Sequence, residues 1–324
     1  MKRVRRIFVR VLLVLAILVA GVFGVVQFRK NRTFAAAELG LKATKDPKVI
    51  ARGRYLALGP AHCFGCHSRP EDEAAALRGD EVAPAGGHVF DIPPGKLFAP
   101  NITPDPETGI GRRTDAELAR IMRLGIRADG RVAMPLMPFQ NLADEDLVAL
   151  LSYLRSLKPV KNAVPDHEWH LLGDFLRAFV LKPEGPAGTP PARMVPSVTA
   201  EYGRYLAHSV ANCNGCHTDR DFRSGAFIGK PFAGGSPMPA LDDPKFEVAA
   251  PNITADPKTG RLAKFTEDEF VKRLKSGTPS APGTHMPWGS FRHMTDEDLR
   301  AVYRYLKTVP PVENDVGPLR RPIR

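Results

Sequence analysis

The chain is poor in cysteine: its 324 residues contain four, and all four lie in two short runs. No cysteine is therefore left for a disulfide. A zinc site would need its second ligand pair roughly 15–20 residues after the first, whereas these runs start about 150 residues apart. A thioredoxin-like motif needs a βαβ context, and the sequence shows none. The runs are Cys63-Phe-Gly-Cys66-His67 and Cys213-Asn-Gly-Cys216-His217.

Acidic residues are absent from the start of the chain, since none precedes Glu38. The net charge is +11, and eight of these charges come from the basic residues before Glu38. The rest of the chain is near neutral, which excludes nucleic acid as a partner. The eight basic residues are Lys2, Arg3, Arg5, Arg6, Arg10, Arg29, Lys30 and Arg32.

Long apolar runs are absent except at one place. Residues 11–28 contain one polar residue, Gln27, and approach the ~20 residues needed to cross a bilayer. A cleaved signal peptide is the alternative, but its small residues follow the apolar core directly, whereas residues 35–37 come only after Arg32. We therefore expect an uncleaved anchor. More basic residues precede it than follow it, which predicts a cytoplasmic amino terminus and a periplasmic remainder.

Both cysteine runs have the C-x-x-C-H pattern, which is the attachment signal for c-type haem. Two thiols become thioethers to the porphyrin, and the adjacent imidazole coordinates the iron. We predict two covalently bound haem c groups. The predicted covalent residues are Cys63, Cys66, Cys213 and Cys216, and the predicted imidazole ligands are His67 and His217.

Five short blocks occur twice in the same order, which predicts a duplicated domain. Thr114 and Thr266 each begin a capping box that starts a helix, and Gly125 and Gly277 end these helices. The repeated blocks are R-G-R-Y-L-A with Y-G-R-Y-L-A, C-x-x-C-H, A-P-N-I-T, T-D-A-E with T-E-D-E, and D-E-D-L.

The sixth iron ligand decides between electron transfer and catalysis. Met286 lies ten residues before Asp296, and Met134 lies ten residues before Asp144, so we predict Met134 and Met286 as axial ligands. Met137 remains an alternative to Met134. A thioether raises the reduction potential of the iron and fills the position where oxygen or peroxide would bind.

Other conspicuous residues receive structural interpretations. Tyr55 and Tyr205 are expected to pack between helices. The Pro70 carbonyl is a candidate partner for the ring N–H of His67. In the segment between the two copies, Asp166 is expected to cap a helix whose apolar face carries Trp169, Leu172, Phe175, Leu176 and Phe179. That helix either packs between domains, which we favour, or lies on a membrane surface. Surface or haem-propionate contacts are expected for the spare imidazoles His62, His88, His208, His285 and His293.

The helix before C-x-x-C-H, the long loop with Met-Pro and the last helix carrying Tyr153 or Tyr305 resemble the class I cytochrome c fold. With A-P-N-I-T, D-E-D-L and the anchor, residues 48–312 resemble the multihaem cytochrome c subunits of membrane-bound alcohol and gluconate dehydrogenases. Those subunits have three C-x-x-C-H runs, and this chain has two.

The resemblance implies a mainly α protein with tandem class I cytochrome c domains behind a transmembrane helix. It implies a carrier of single electrons, not an enzyme. The donor would be a periplasmic dehydrogenase or quinol-oxidising complex, and the acceptor a terminal oxidase or soluble cytochrome. A dihaem peroxidase is the alternative. The expected segments are the anchor 1–34, domain 40–160, the linker 161–200, domain 201–312 and a basic tail 313–324.

Overall fold

The computed structural model describes residues 2–221 and 226–323. Met1 and Arg324, at the ends of the predicted anchor segment and basic tail, lie outside the described residues. The described part is mainly helical, as predicted. Its helices are α1 (Lys2–Arg29), α2 (Pro47–Leu58), α3 (Cys63–His67), α4 (Glu73–Leu77), α5 (Asp115–Leu124), α6 (Asp144–Ser156), α7 (Leu171–Phe175), α8 (Ala200–Tyr205), α9 (Cys213–His217), α10 (Glu267–Lys275), α11 (Trp288–Phe291) and α12 (Asp296–Thr308).

Two helices change their winding before they end. Helix α7 continues directly as a π-helical turn over Leu176–Val180, and α8 continues in the same way over Leu206–Val210. Short 3₁₀ turns occupy Pro70–Asp72 and Leu262–Lys264. Helices α7 and α8 are therefore each extended by a turn that α-helical spacing of the residues does not predict.

Two small antiparallel sheets accompany the helices, and the sequence analysis did not predict them. The strands are β1 (Val89–Ile92), β2 (Gly95–Phe98), β3 (Glu168–Trp169), β4 (Met238–Pro239), β5 (Phe246–Val248) and β6 (Arg320–Pro322). In the first sheet, β2 lies between β1 and β3, with Val89 paired to Phe98 and Gly95 to Trp169. In the second sheet, β5 lies between β4 and β6.

Glycine allows the long helices to cross closely. Helix α2 packs against α6, and α8 packs against α12. A Cβ on Gly53 would lie 1.9 Å from the carbonyl oxygen of Ala149, and one on Gly203 would lie 1.9 Å from that of Ala301. Because no side chain fits there, the glycine in each repeated G-R-Y-L block sets the distance between these helices.

The predicted helix starts are present in the structure. Thr114 and Thr266 each form a capping box with the glutamate three residues later, and Gly125 takes the left-handed conformation that ends α5. Thr295 caps α12 by accepting from the Asp298 amide at 3.1 Å. Ala143 has no capping side chain at the start of α6, as expected.

The segment 161–200 differs from its prediction. Asp166 does not cap a helix, because α7 begins only at Leu171, with His170 before it. Trp169 lies in β3 and pairs with Gly95, so it does not share a helical face with Phe175. Because residues 168–169 pair with β2, the helix begins several residues later than predicted.

The two halves are joined by reciprocal contacts between tyrosine and aspartate. The Tyr205 hydroxyl donates to Asp146 Oδ2 at 2.7 Å and accepts from the Ala143 amide at 3.1 Å. In the other direction, the Tyr55 hydroxyl donates to Asp298 Oδ2 at 2.5 Å. Tyr205 lies in the core and Tyr55 packs against it, as expected for residues between helices, and each hydroxyl also hydrogen-bonds the start of the other half's last helix.

Arg52 completes this interface. Its guanidinium binds both oxygens of Asp146, at 2.8 and 3.0 Å, and also donates to the Tyr202 hydroxyl at 3.2 Å. Burial acts to lower the pKa of Arg52, but the Asp146 carboxylate outweighs it and raises that pKa. Arg52 therefore stays charged beside the buried Asp146.

Helix α1 is long and apolar enough to cross a membrane, with 28 residues and a mean hydropathy of 2.8 over its most apolar window. A signal sequence has the same properties near an amino terminus. Only Val26 is buried among its described residues. Most of the helix thus exposes an apolar surface to its surroundings.

Candidate haem sites

Both C-x-x-C-H runs form short helices that the fold places against a core. Helix α3 follows α2, and α9 follows the extension of α8. The residue before each run, His62 or Asn212, has a positive φ, of 39° and 51° respectively. This left-handed residue turns the chain sharply, so that a new helix starts at the first cysteine of each run.

The second half contains an apolar cavity of about 150 Å³ beside α9. Cys213, Cys216 and His217 line it from one helix, and Met286 lines it from the loop before α11. The predicted covalent residues and both predicted iron ligands of this half therefore meet around one space. Met238 and Met294 line the same cavity, although the sequence analysis gave them no role at the site.

The imidazoles of both runs are oriented by backbone carbonyls. His67 Nδ1 lies 2.9 Å from the Pro100 oxygen, and His217 Nδ1 lies 2.8 Å from the Pro251 oxygen. Burial lowers the pKa of both rings, so each is neutral and donates its Nδ1 proton to the carbonyl. Nε2 is then the lone-pair atom available to a metal.

These contacts correct the prediction for His67, whose partner is Pro100 and not Pro70. They also supply the partner of His217 that the sequence did not suggest. Both carbonyls belong to the repeated A-P-N-I-T block. The repetition of this block at a similar distance after each histidine was the signal that could have identified them.

The A-P-N-I-T loops are held rigid by their buried asparagines. Asn101 Oδ1 accepts from the Thr103 amide at 2.9 Å, and its Nδ2 donates to the Val160 oxygen at 2.8 Å. Asn252 makes the matching bonds to Thr254 and to the Val312 oxygen. The asparagines brace a turn, and the turn fixes the carbonyl that orients the imidazole.

The two candidate methionine ligands of the first half, Met134 and Met137, differ in their surroundings. The Leu136 amide donates to the Met134 oxygen at 2.8 Å, and the Trp288 amide donates to the Met286 oxygen at 2.8 Å. The backbone at Met134 thus matches that at Met286. Met137, however, packs against the hydrophobic core, as Met286 does. Met134 remains the predicted ligand, with Met137 as its alternative.

The second site fits a haem by the chemistry of its lining. Trp288 lines the cavity, and its buried Nε1 has no hydrogen-bond partner within residues 2–221 and 226–323. Arg261 and Arg273 also line the cavity. A tetrapyrrole has an apolar face and two carboxylates, so it would fill the space and accept from Trp288 beside two cations.

The cysteine environment does not favour metal or thiolate chemistry. Burial raises the pKa of Cys63 and of Cys213 to about 12, so both thiols are protonated at neutral pH. Across the described ranges, no group of three or more His, Cys, Asp or Glu side chains is placed to hold a metal ion. The zinc alternative therefore has no site in the described part of the chain.

The histidines outside the two C-x-x-C-H runs contact other groups of the protein. His293 Nε2 lies 2.6 Å from the Gly79 oxygen, and His208 Nε2 lies 2.6 Å from the Tyr305 hydroxyl. His285 lines the cavity but contacts the Pro239 oxygen at 2.7 Å. His62 lies edge-on to Phe291 with ring centroids 5.9 Å apart, and His88 Nδ1 is 3.5 Å from Glu73.

Comparison with known proteins agrees with this chemistry. Residues 50–158 match the cytochrome c family. This match bears out the haem-binding cytochrome c predicted from the sequence for that part of the chain, which contains the first C-x-x-C-H run.

Individual relatives are similar over most of the chain. The alcohol dehydrogenase (quinone) cytochrome c subunit of Gluconacetobacter polyoxogenes is 34% identical over 317 residues, covering 89% of this chain and 64% of the relative. The gluconate 2-dehydrogenase cytochrome c subunit of Pantoea cypripedii is 30% identical, covering 81% and 59%. A dihaem cytochrome c-type protein of Cereibacter sphaeroides is 27% identical, covering 78% and 83%. The chain thus spans less than two thirds of the length of the dehydrogenase subunits.

Proposed function

We propose that this protein is a membrane-anchored, periplasmic dihaem cytochrome c that passes single electrons from a dehydrogenase or quinol-oxidising complex to a terminal oxidase or soluble cytochrome. The observation that carries the proposal is the apolar cavity in which Cys213, Cys216, His217 and Met286 meet. A haem held there would take its two iron ligands from this imidazole and this thioether, which would leave no position for a substrate.

The same residue types recur in the first half, which supports two sites. Cys63 and Cys66 would hold the first haem covalently, with His67 and Met134 as its axial ligands. When bound, each haem supplies a one-electron Fe(II)/Fe(III) couple. In this proposal the chain consists of two cytochrome c domains, and the carbonyls of Pro100 and Pro251 keep both histidines in the tautomer that ligates iron.

The protein's own contribution is orientation and exclusion of water. The buried loops braced by Asn101 and Asn252 prevent the imidazoles from rotating away. Apolar walls around the site disfavour the extra charge of the oxidised state, and a methionine ligand acts in the same direction. Both effects raise the reduction potential, which suits a carrier that delivers electrons to an oxidase.

The partners are proposed from the relatives. Two of them are cytochrome c subunits of dehydrogenases that act on an alcohol and on gluconate. A dehydrogenase of this kind is the proposed donor. Helix α1 would hold the carrier in the plane of that donor and thereby raise its effective concentration.

Haem stoichiometry tests the first part of this proposal. Acid–acetone extraction should leave the porphyrin on the chain, and a pyridine haemochrome assay should give two haems per chain. Replacing Cys213 and Cys216 by alanine should reduce the count to one. Complete loss of porphyrin on extraction would contradict the covalent attachment.

Electron transfer is tested in isolated membranes that contain the full chain. Ethanol or gluconate is added under anaerobic conditions, and the reduced α band is followed in time. Reduction by one substrate would identify the class of donor, and an unchanged spectrum with both substrates and with added quinol would contradict the proposed role.

The peroxidase alternative is not supported. None of the relatives named above is a peroxidase. Met134 and Met286 occupy the same register in the two halves, and a peroxidase needs one open or displaceable position. We expect negligible peroxide turnover with a reduced electron donor, and rapid turnover would reverse this ranking.

A further inference from the structure

The segment 171–180 lies beside the carboxyl-terminal end of α1. The last part of α1 packs against residues 176–180 and, more weakly, against α7. Lys30 Nζ binds Asp174 Oδ2 at 2.9 Å, and Arg29 Nε donates to the Ala178 oxygen at 3.4 Å. These contacts hold the segment at the level where α1 would leave a bilayer.

This segment exposes an apolar face. Leu171 is 73% exposed, Phe175 45% and Phe179 40%, and these residues follow one another at the spacing of one helical face. The opposite side is buried, since Gly173, Asp174 and Ala178 have little exposed surface. Single exposed apolar residues are ordinary on a soluble surface. A contiguous face of five exposed apolar residues is unusual on such a surface. Its members are Leu171, Leu172, Phe175, Phe179 and Val180.

Cations surround the junction between α1 and this segment. Lys30, Arg32, Arg131 and Arg177 line one small cavity there. Arg32 Nε is buried and has no hydrogen-bond partner in the described part of the chain. Asp174 neutralises part of this charge through its contacts with Lys30 and Arg177, and Asp129 pairs with Arg131. The remaining positive charge and the unpartnered donor are suited to an anionic group such as a lipid phosphate.

We propose that residues 171–180 form a second membrane contact, which lies along the outer surface of the bilayer beside the end of α1. The apolar face enters the boundary between headgroups and acyl chains, and the cations around Arg32 contact lipid phosphates. This inference rests on the proposed anchoring by α1.

The sequence favoured packing between domains over a membrane surface for this segment, and the structure favours the membrane surface. The segment itself carries one basic residue, Arg177, which argued against a membrane surface. The fold brings Arg29, Lys30 and Arg32 next to it from the end of α1, so that apolar face and cations form one continuous surface. Continuity with a bilayer-length helix favours lipid over a protein partner as the group that covers this face.

Site-directed spin labelling tests the proposal on the full chain in liposomes. The four native cysteines are the haem attachment residues, so a cysteine introduced at Phe179 can be labelled alone. Its accessibility to oxygen is compared with that to a water-soluble nickel chelate. Leu241→Cys is the control, because Leu241 is also apolar and exposed, at 48%. Leu18→Cys reports the middle of α1.

We expect a severalfold higher oxygen-to-nickel ratio at Phe179 than at Leu241, and a still higher ratio at Leu18. Anionic lipid should raise the ratio at Phe179, and Arg32→Gln should remove this rise. A high ratio at Leu18 with equal ratios at Phe179 and Leu241 would overturn the second contact and leave the anchor intact. A low ratio at Leu18 would overturn the anchor as well. Protection of Phe179 in native membranes but not in liposomes would assign the face to a protein partner and refute the lipid contact.

Discussion

The hydroxyl of Tyr205 is predicted to be a main stabilising contact between the two halves. Tyr205 is 7% exposed, donates to Asp146 Oδ2 at 2.7 Å and accepts from the Ala143 amide at 3.1 Å. Burial, followed by the charge of Asp146, raises the pKa of Tyr205, so the hydroxyl keeps its proton. Tyr205→Phe removes this donor and acceptor while preserving the ring.

Tyr205→Phe lowers the free energy of unfolding for two reasons: the hydrogen bond to Asp146 is lost, and the Ala143 amide loses its partner. A hydrogen bond to a charged group contributes about 1.5–3 kcal/mol, and a buried amide left without a partner costs about 1–3 kcal/mol. Arg52 still binds Asp146 through both oxygens, which limits the first loss. We expect Tyr205→Phe to lower the free energy of unfolding by about 2–4 kcal/mol.

Urea unfolding followed by far-UV circular dichroism measures this effect. With a slope of about 2 kcal/mol/M, the midpoint should fall by about 1–2 M. Tyr303→Phe is the matched control, because the Tyr303 hydroxyl donates to the Phe265 oxygen at 2.9 Å within one half and is partly exposed. The control should lose about 0.5–1.5 kcal/mol. A Tyr205→Phe variant no less stable than the control would refute the cross-linking role.

Three further predictions follow from single sites. Gly203→Ala should cost more than about 3 kcal/mol, because its methyl group would meet a backbone oxygen at 1.9 Å, whereas Gly188→Ala, with nothing within 4 Å, should be neutral in the same urea assay. Met134→Ala should remove one of two Fe–S absorption bands of the oxidised protein near the far red, and Met137→Ala should retain both; the reverse result would exchange their roles. Burial raises the pKa of Asp298, so the folded state binds this proton more tightly than the unfolded chain and gains stability as pH falls through that pKa. The stability of the wild type relative to Asp298→Asn should therefore rise from pH 7 towards pH 4, and a constant difference would contradict the burial of this carboxyl.

Features that depend on neighbouring residues could be predicted from the sequence. The capping boxes at Thr114 and Thr266, the end of α5 at Gly125 and the last helix of each half are all present. Each is determined by hydrogen bonds or side-chain spacing within about one turn of helix. The C-x-x-C-H runs are equally local, and the cavity beside the second run suits a haem.

Features that depend on distant residues could not be predicted. The carbonyl partner of His67 lies 33 residues away, and the hydroxyl partner of Asp298 lies 243 residues away. Local preferences carry no information on which residues meet at such separations. Trp169 illustrates the same limit: apolar spacing assigned it to a helix, but pairing with Gly95 draws it into a strand.

The reciprocal interface also brings together the two proposed haem sites. Tyr55 and Tyr205 each bind the start of the other half's last helix, so neither half can rotate without breaking a buried bond. His62, which directly precedes the first run, thereby contacts Phe291, which lines the cavity of the second site. The attachment helix of one site thus begins against the wall of the other. Because electron exchange between two haems requires a short and constant separation, the buried tyrosine–aspartate pairs serve the proposed function as directly as the iron ligands do.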